Sequence, residues 1–198
     1  MRRDPGFVKV FNKIAVNYDK RFGKSCQLAH ELILLRAQDC SIKPQNILDI
    51  GCGTGELLLK TTKIWPSALS FGIDPAQGMI EQAKTKLSHS ELSVNRSETL
   101  PFLDDSIDLV VSTTSFSHWM DKHKSLTEIY RVLKPQGDCI IVDHYTPGLM
   151  TKLILFLINR LADLKSVFEV DELAKRAGFT VKHLSKVESY FIAHLIKA

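Results

Sequence analysis

The chain has 198 residues, 44% hydrophobic and 24% charged, with 26 Lys and Arg against 22 Asp and Glu for a formal charge of +4. That length supports one domain with a core of its own, and so mild a net charge, taken whole, gives little reason to expect a nucleic-acid partner. Cys26, Cys40, Cys52 and Cys139 form no CxxC pair, and no His stands at zinc-ligand spacing, which argues against a metal centre and reads as reduced thiols of a soluble, cytoplasmic protein.

Charge is concentrated at the start. Residues 1–24 carry Arg2, Arg3, Lys9, Lys13, Lys20, Arg21 and Lys24 against Asp4 and Asp19. Phe7, Phe11, Ile14 and Tyr18 give the same stretch an amphipathic pattern. "MRRDPGF" breaks with Pro and Gly before any apolar run, unlike a signal peptide. Residues 1–40 are expected to form an N-terminal helical lid on a core of residues 41–198, the whole being a single domain.

From residue 46 short apolar runs alternate with helical patterns, the signature of a parallel sheet with helices on its faces. "NILDI" (46–50) predicts a buried strand and "ELLLKTTKI" (56–64) a helix stopped by Pro66. "LSFGID" (69–74) follows as a strand. "AQGMIEQAKTKL" (76–87) predicts a helix with Met79, Ile80, Ala83 and Leu87 on one face. "LSVN" (92–95) and "IDLVVS" (107–112) are strands three and four. "KSLTEIYRVL" (124–133) is a helix ended by Pro135 and Gly137, and "CIIVDHY" (139–145) a fifth strand. An apolar helix is expected at about 149–163, whose "LILFLI" falls far short of the ~18 residues a spanning segment needs. "DELAKRAGF" (171–179) predicts a short helix with a glycine cap. "TVKHLSKV" and "SYFIAHLIK" are strands joined so tightly that they must be antiparallel.

"DIGCGTGE" (49–56) places glycines at 51, 53 and 55 at the end of the first strand, where an open α/β sheet binds its ligand. A dinucleotide fingerprint wants its third glycine at 56, which is Glu56, and a P-loop wants a Lys-Ser/Thr pair, which is absent. No Lys or Arg lies in the loop, and Asp49 and Glu56 flank it, an arrangement that suits a cation better than a pyrophosphate. Asp74, ending the second strand, is placed to accept ribose hydroxyls. A nucleoside with positive charge and no phosphate, such as S-adenosylmethionine, fits this description. A nicotinamide-dependent oxidoreductase and a non-catalytic binding protein remain as alternatives.

"DIGCGTG", "GIDPAQGMI", "LPFLDDSIDLVVS" and "EIYRVLKPQGDCIIVD", in that order, resemble the class I S-adenosylmethionine-dependent methyltransferases, in the small-molecule branch with quinone-ring and malonyl-carrier enzymes. The resemblance runs over residues 7–198. It implies a Rossmann-like α/β fold: a seven-stranded, mainly parallel sheet with an antiparallel last strand and helices on both faces. It implies S-adenosyl-L-methionine as cofactor and S-adenosyl-L-homocysteine as product, a small and partly apolar acceptor, and a monomer or homodimer. By position it assigns Asp49, Gly51, Cys52, Gly53 and Gly55 to the methionine end and Asp74 to the ribose. Pro75 and Met79 fall near the adenine, Ser97 and Glu98 at its amino group, and Thr113 and Tyr18 close the set. Three positions depart from the family. Arg96 stands where an Asp usually accepts from the adenine, Ala76 where Ser is common, and Gln136 where a glycine is usual.

"STTSFSHWMD" (112–121) follows the fourth strand, where the family places acceptor and reactive methyl. His118 is the candidate general base, being able to titrate near neutral pH. The stretch lacks the Asn/Asp-Pro-Pro-aromatic run of N-amide and DNA-base methylating enzymes, and the chain lacks the Pro-Cys pair of cytosine-C5 enzymes.

Overall fold

Residues 6–145 and 165–198 are described by a computed structural model. The expected helix at 149–163 lies outside these residues. The N-terminal part comprises α1 (Gly6–Ile14), a 3-10 turn (Ala15–Asn17) and the long α2 (Tyr18–Asp39). Then come β1 (Asn46–Ile50), α3 (Glu56–Ile64), β2 (Leu69–Asp74), α4 (Gln77–Lys86), β3 (Glu91–Val94), β4 (Ile107–Thr113), a 3-10 turn (Phe116–His118), α5 (Lys122–Val132) and β5 (Leu133–His144). The chain ends with α6 (Val167–Arg176), β6 (Phe179–Val187) and β7 (Tyr190–Lys197).

The strands form one sheet in the order β3-β2-β1-β4-β5-β7-β6. Strands β1 to β5 run parallel to one another, and β7 runs antiparallel between β5 and β6. The order turns back at β1 and β4, so a crevice opens beyond their carboxyl ends, where such sheets bind ligands.

Period-two alternation divides the core between the two faces. Leu48, Ile50, Val110, Cys139 and Ile141 join Leu126 and Ile129 of α5 and Val170 and Ala174 of α6. Ile47, Leu109, Val111, Ile140 and Val142 join Ala29, Ile33 and Ala37 of α2 with Leu57 and Leu58 of α3 and Ile80 and Ala83 of α4. Helices therefore cover both faces. The C-terminal half of α2 is part of this second core, while α1 and the 3-10 turn after it pack Phe7, Val8 and Ala15 on Ala76 and Met79.

Boundaries differ from the sequence reading at α6, which starts four residues early at Val167 behind a capping box of Ser166 and Glu169, and at both ends of α5. Helix α5 starts at Lys122 because the Asp121 side chain accepts the Lys124 N–H at 3.0 Å, an N-cap. Pro135 and Gly137 do not separate α5 from β5. The strand begins directly at Leu133, opposite Ile107, and absorbs the irregular residues in a register shift before Leu109 meets Asp138. Gln136 takes φ +63° there, the left-handed conformation that explains why a glycine suits this position.

Candidate active site

The loop after β1 folds back because the Gly51 and Cys52 N–H groups both donate to Ile73 O, at 2.8 and 3.0 Å. Gly51, Gly53 and Gly55 all have positive φ, but their surroundings differ. A Cβ at Gly51 would lie 2.4 Å from both Cβ and Oγ of Ser115, so that glycine lets two loops interlock. A Cβ at Gly53 would meet nothing within 4 Å, since this residue faces open space. At Gly55 it would strike Leu87 at 2.6 Å and Ala83 at 3.2 Å. Gly55 lines neither cavity of the site; its glycine is required by the packing of α3 on α4, a correction to its expected place beside a ligand.

Asp49 is 1% exposed, and neither carboxylate oxygen has a hydrogen-bond partner. Burial, reinforced by the charge of Asp74, pushes its pKa up to about 8. Asp74 is better supported. Its Oδ2 accepts the Gly53 N–H at 3.1 Å and its Oδ1 the Ala76 N–H at 2.8 Å. Burial still wins over those bonds, leaving it raised to about 6. Glu56 does not add to this negative pair, because Lys86 Nζ lies 2.5 Å from its Oε1. The expectation that Glu56 makes the loop cation-seeking is thus corrected, and Asp49 with Asp74 carries that property. Cys52 is buried among Leu57, Leu92 and other apolar residues, with burial raising its thiol well above the ordinary range. That protonated thiol is packing, not a nucleophile.

Two adjoining cavities meet at Gly51, Gly53, Thr113 and Tyr18. The smaller, about 410 Å³, contains Asp49, Cys52, Cys26 and His30. The larger, about 660 Å³, runs past Asp74, Pro75, Met79, Ser97 and Glu98 to His118, Trp119 and Met120. Phe7 and Phe11 from α1 close it, their rings 5.2 and 5.5 Å from the His118 imidazole. Tyr18 packs on Phe11 and Phe22, and burial, then the neighbouring Cys26, raises its hydroxyl pKa. His118 Nδ1 is buried with no partner; burial and then Lys122 lower the imidazole pKa. Of the expected site residues, only Gly55 stands outside both cavities.

The adenine-side residues are engaged elsewhere. Ser97 Oγ pairs with Ser125 Oγ at 2.9 Å, and Glu98 Oε1 accepts the N–H groups of Met120 and Asp121 at 2.8 and 3.2 Å. Arg96 Nη1 lies 3.2 Å from Met120 Sδ. Sequence reasoning also missed the residues that hold the site. Ser115 Oγ donates to Ile50 O at 2.9 Å and accepts from Trp119 Nε1 at 3.2 Å. Buried Asp143 accepts the Ser117 N–H at 2.7 Å, fixing the turn that presents His118. Ser115 lies in the quoted post-β4 stretch, but no local pattern ties it to residue 51. Among the described residues, no group of three or more His, Cys, Asp or Glu is arranged to hold a metal ion.

Residues 48–141 match the family of methyltransferase domains. The chain is 31% identical over 133 residues to a malonyl-[acyl-carrier protein] O-methyltransferase of Priestia megaterium, covering 67% of this chain and 48% of the relative. It is 30% identical over 164 residues to the ubiquinone/menaquinone biosynthesis C-methyltransferase UbiE of Campylobacter jejuni, covering 72% of this chain and 65% of the relative. Over the matched region the chain is similar to class I S-adenosylmethionine-dependent methyltransferases. It spans about half to two thirds of the length of these curated relatives. The fold is likewise that of an S-adenosylmethionine-dependent methyltransferase from Aquifex aeolicus, at TM-score 0.71 and 21% identity with both chains fully covered.

The residues present fit the cofactor of this family. An orphaned buried carboxylate at Asp49 suits a cationic ligand, and the open space at Gly53 admits one close to the backbone. No helix among the described residues is long and apolar enough to cross a membrane.

Proposed function

We propose that this protein moves a methyl group from S-adenosylmethionine to a small, partly apolar acceptor, releasing S-adenosylhomocysteine. The observation that carries the reading is Asp49, a buried carboxylate without a partner beside a glycine that leaves room for a ligand. In this reading Asp49, Gly51, Cys52 and Gly53 hold the methionine end, with Asp49 facing its positive charge. Asp74 takes the ribose, Pro75 and Met79 flank the adenine, and the backbone of Ser97 and Glu98 meets its amino group. Thr113 and Tyr18 line the junction of the two cavities, where the ends of the ligand meet. Bound there, the cofactor supplies a methyl already activated by the sulfonium charge.

The protein's own contribution is then alignment and exclusion of water. Phe7 and Phe11 supply an apolar cover, and residues 6–22 act as the lid proper. His118, neutral at pH 7 because its pKa is lowered, accepts the acceptor's proton where the nucleophile carries one. The relatives' names include both an O- and a C-methyltransferase, so the panel of acceptors spans hydroxyl, carboxyl and activated ring carbons. Four free cysteines support a cytoplasmic setting, and we place the protein there as a monomer or homodimer without a nucleic-acid partner.

Calorimetric titration with S-adenosylmethionine, S-adenosylhomocysteine, NAD and NADP tests the cofactor, and labelled-methyl transfer over the panel tests the reaction. Binding of the first two alone, with turnover of an apolar acceptor, is expected. Tight binding of NADP would overturn the reading.

A further inference from the structure

Three polar ties hold the N-terminal segment over the cavities, and two converge on one residue. At α1, the Gly78 N–H donates to Asn12 Oδ1 at 2.7 Å, fastening α1 to the start of α4. At the first turn of α2, Asp19 Oδ1 accepts from Thr54 Oγ1 at 2.5 Å, and Thr54 belongs to the glycine loop itself. Asp19 Oδ2 lies 2.5 Å from Lys86 Nζ, which also grips Glu56 at 2.5 Å. Asp19 therefore joins the start of α2, the glycine loop and the end of α4 through one carboxylate. Its position in a helix's first turn adds a favourable interaction with the helix dipole.

The residue before it is Tyr18, which lines both cavities and packs on Phe11, which in turn covers His118. Any opening that separates Asp19 from Thr54 and Lys86 carries Tyr18 away from the junction of the cavities. Side-chain exposures of 40% at Asp19, 23% at Lys86 and 38% at Glu56 leave the tie open to water and salt. It is strong enough to bias a segment and weak enough to break repeatedly.

Resting on the methyltransferase reading, we propose that Asp19 is a positioning residue whose tie to Thr54 and Lys86 gates cofactor entry and release. Asp19 lines the smaller cavity, but Thr54 and Lys86 engage both of its carboxylate oxygens; in this role it sets how often the segment carrying Tyr18 and Phe11 opens. Such a gate acts on both directions of exchange. Loosening it speeds association and dissociation together and leaves the equilibrium affinity nearly unchanged. A residue that touched the ligand would instead raise the dissociation rate and weaken the affinity.

The test uses the full chain and two variants, Asp19→Asn and Lys86→Met, which break the tie from opposite sides; circular dichroism confirms that each is folded. Hydrogen exchange of residues 6–22 is measured without ligand, and stopped-flow binding of S-adenosylhomocysteine gives the two rate constants. In both variants, exchange of residues 6–22 and both rate constants should rise about fivefold, the scale of a partly exposed ion-pair network. The dissociation constant should stay within about twofold, and added salt should accelerate the wild type more than the variants. Unchanged exchange of residues 6–22 overturns the latch. Faster dissociation with weakened affinity makes Asp19 a ligand contact and overturns the gate. If the wild type does not bind S-adenosylhomocysteine, the methyltransferase reading and the gate fall together, while hydrogen exchange still decides whether Asp19 and Lys86 hold the segment.

Discussion

Gly51 and Ser115 are in such close contact that any side-chain carbon at position 51 would lie 2.4 Å from Ser115 Cβ and Oγ. The same Ser115 hydroxyl donates to Ile50 O, one residue before that glycine. The loop after β1 and the loop after β4 are thus one mechanical unit, and it forms the floor beneath both cavities. Gly51→Ala should destabilise the protein by about 2–4 kcal/mol, from overpacking and from a φ of +73° that alanine resists. Ser115→Gly in the same chain removes both clashing atoms. Denaturant unfolding should therefore show the double variant more stable than the sum of the two single losses predicts. Additive losses would mean that the contact does not govern residue 51.

Gly53 and Gly55 should separate binding from stability. Valine at Gly53 enters open space between the cavities, so S-adenosylhomocysteine binding by calorimetry should be lost, while stability falls by about 1–2 kcal/mol for the φ of +54°. Alanine at Gly55 meets Leu87 and Ala83 away from the cavities. It should lower stability by about 2–4 kcal/mol and leave the dissociation constant of the folded protein nearly unchanged. The reverse pattern would return Gly55 to the ligand.

Asp49 makes the ligand-free protein sensitive to alkali. Its pKa is raised from 3.8 to about 8, so over that interval the folded state holds a proton that the unfolded state has lost. Stability contributed by the protonated form is complete below pH 4 and declines as pH rises towards 8, by up to about 1.4 kcal/mol per pH unit. Asp74, raised to about 6, adds to the decline in the lower half of the window. Asp49→Asn should flatten the profile between pH 6 and 8 and leave the ligand-free variant the more stable protein at pH 8. It should also bind S-adenosylhomocysteine more weakly, because the amide cannot match the ligand's ammonium. Parallel profiles for wild type and variant would mean that Asp49 ionises freely in the folded state.

Most of the described sheet and helices from Asn46 onward were legible because the elements carry their own period and several end close to a glycine or proline, as at Gly51, Pro66, Pro75 and Gly178. Local pattern also put Asp49 and Asp74 at strand ends and Gly53 in the loop after β1, where the structure has them, since strand ends and glycine loops are short-range signals. The ties between distant residues were not legible. Lys86 neutralises Glu56 from 30 positions away, and Ser115 meets Gly51 across 64. Nothing in the neighbourhood of either residue announces its partner. The junction at Leu133 failed for a different reason. "KPQG" has the composition of a stop, yet pairing with Ile107 lets the strand run through it.

Gln136 offers a direct check of that junction. It is exposed and holds φ +63°, a conformation that costs a non-glycine residue about 1–2 kcal/mol. Glycine removes this strain but loosens the unfolded chain, which offsets part of the gain. Gln136→Gly should therefore stabilise the protein by about 0.5–1 kcal/mol in denaturant titration. A destabilised variant would show that the glutamine side chain contributes more than its backbone loses.

His118 should reveal itself in the pH dependence of turnover. Its imidazole is held below the ordinary value by burial and by Lys122, and Nδ1 is buried without a partner beneath Phe7 and Phe11. A base in that state is neutral and competent at pH 7 and loses competence only on acidification. With an acceptor that must shed a proton, kcat should rise with pH through an apparent pKa below 6.5 and then level off. His118→Gln keeps much of the volume but accepts no proton. It should lower kcat by about 10²- to 10⁴-fold and abolish the acidic limb. Binding of S-adenosylhomocysteine by the same variant tells loss of the base from collapse of the cavity. If the variant turns over at the wild-type rate with the acidic limb intact, His118 serves as a packing ring of the aromatic cover, and the acceptor's nucleophile needs no base from it.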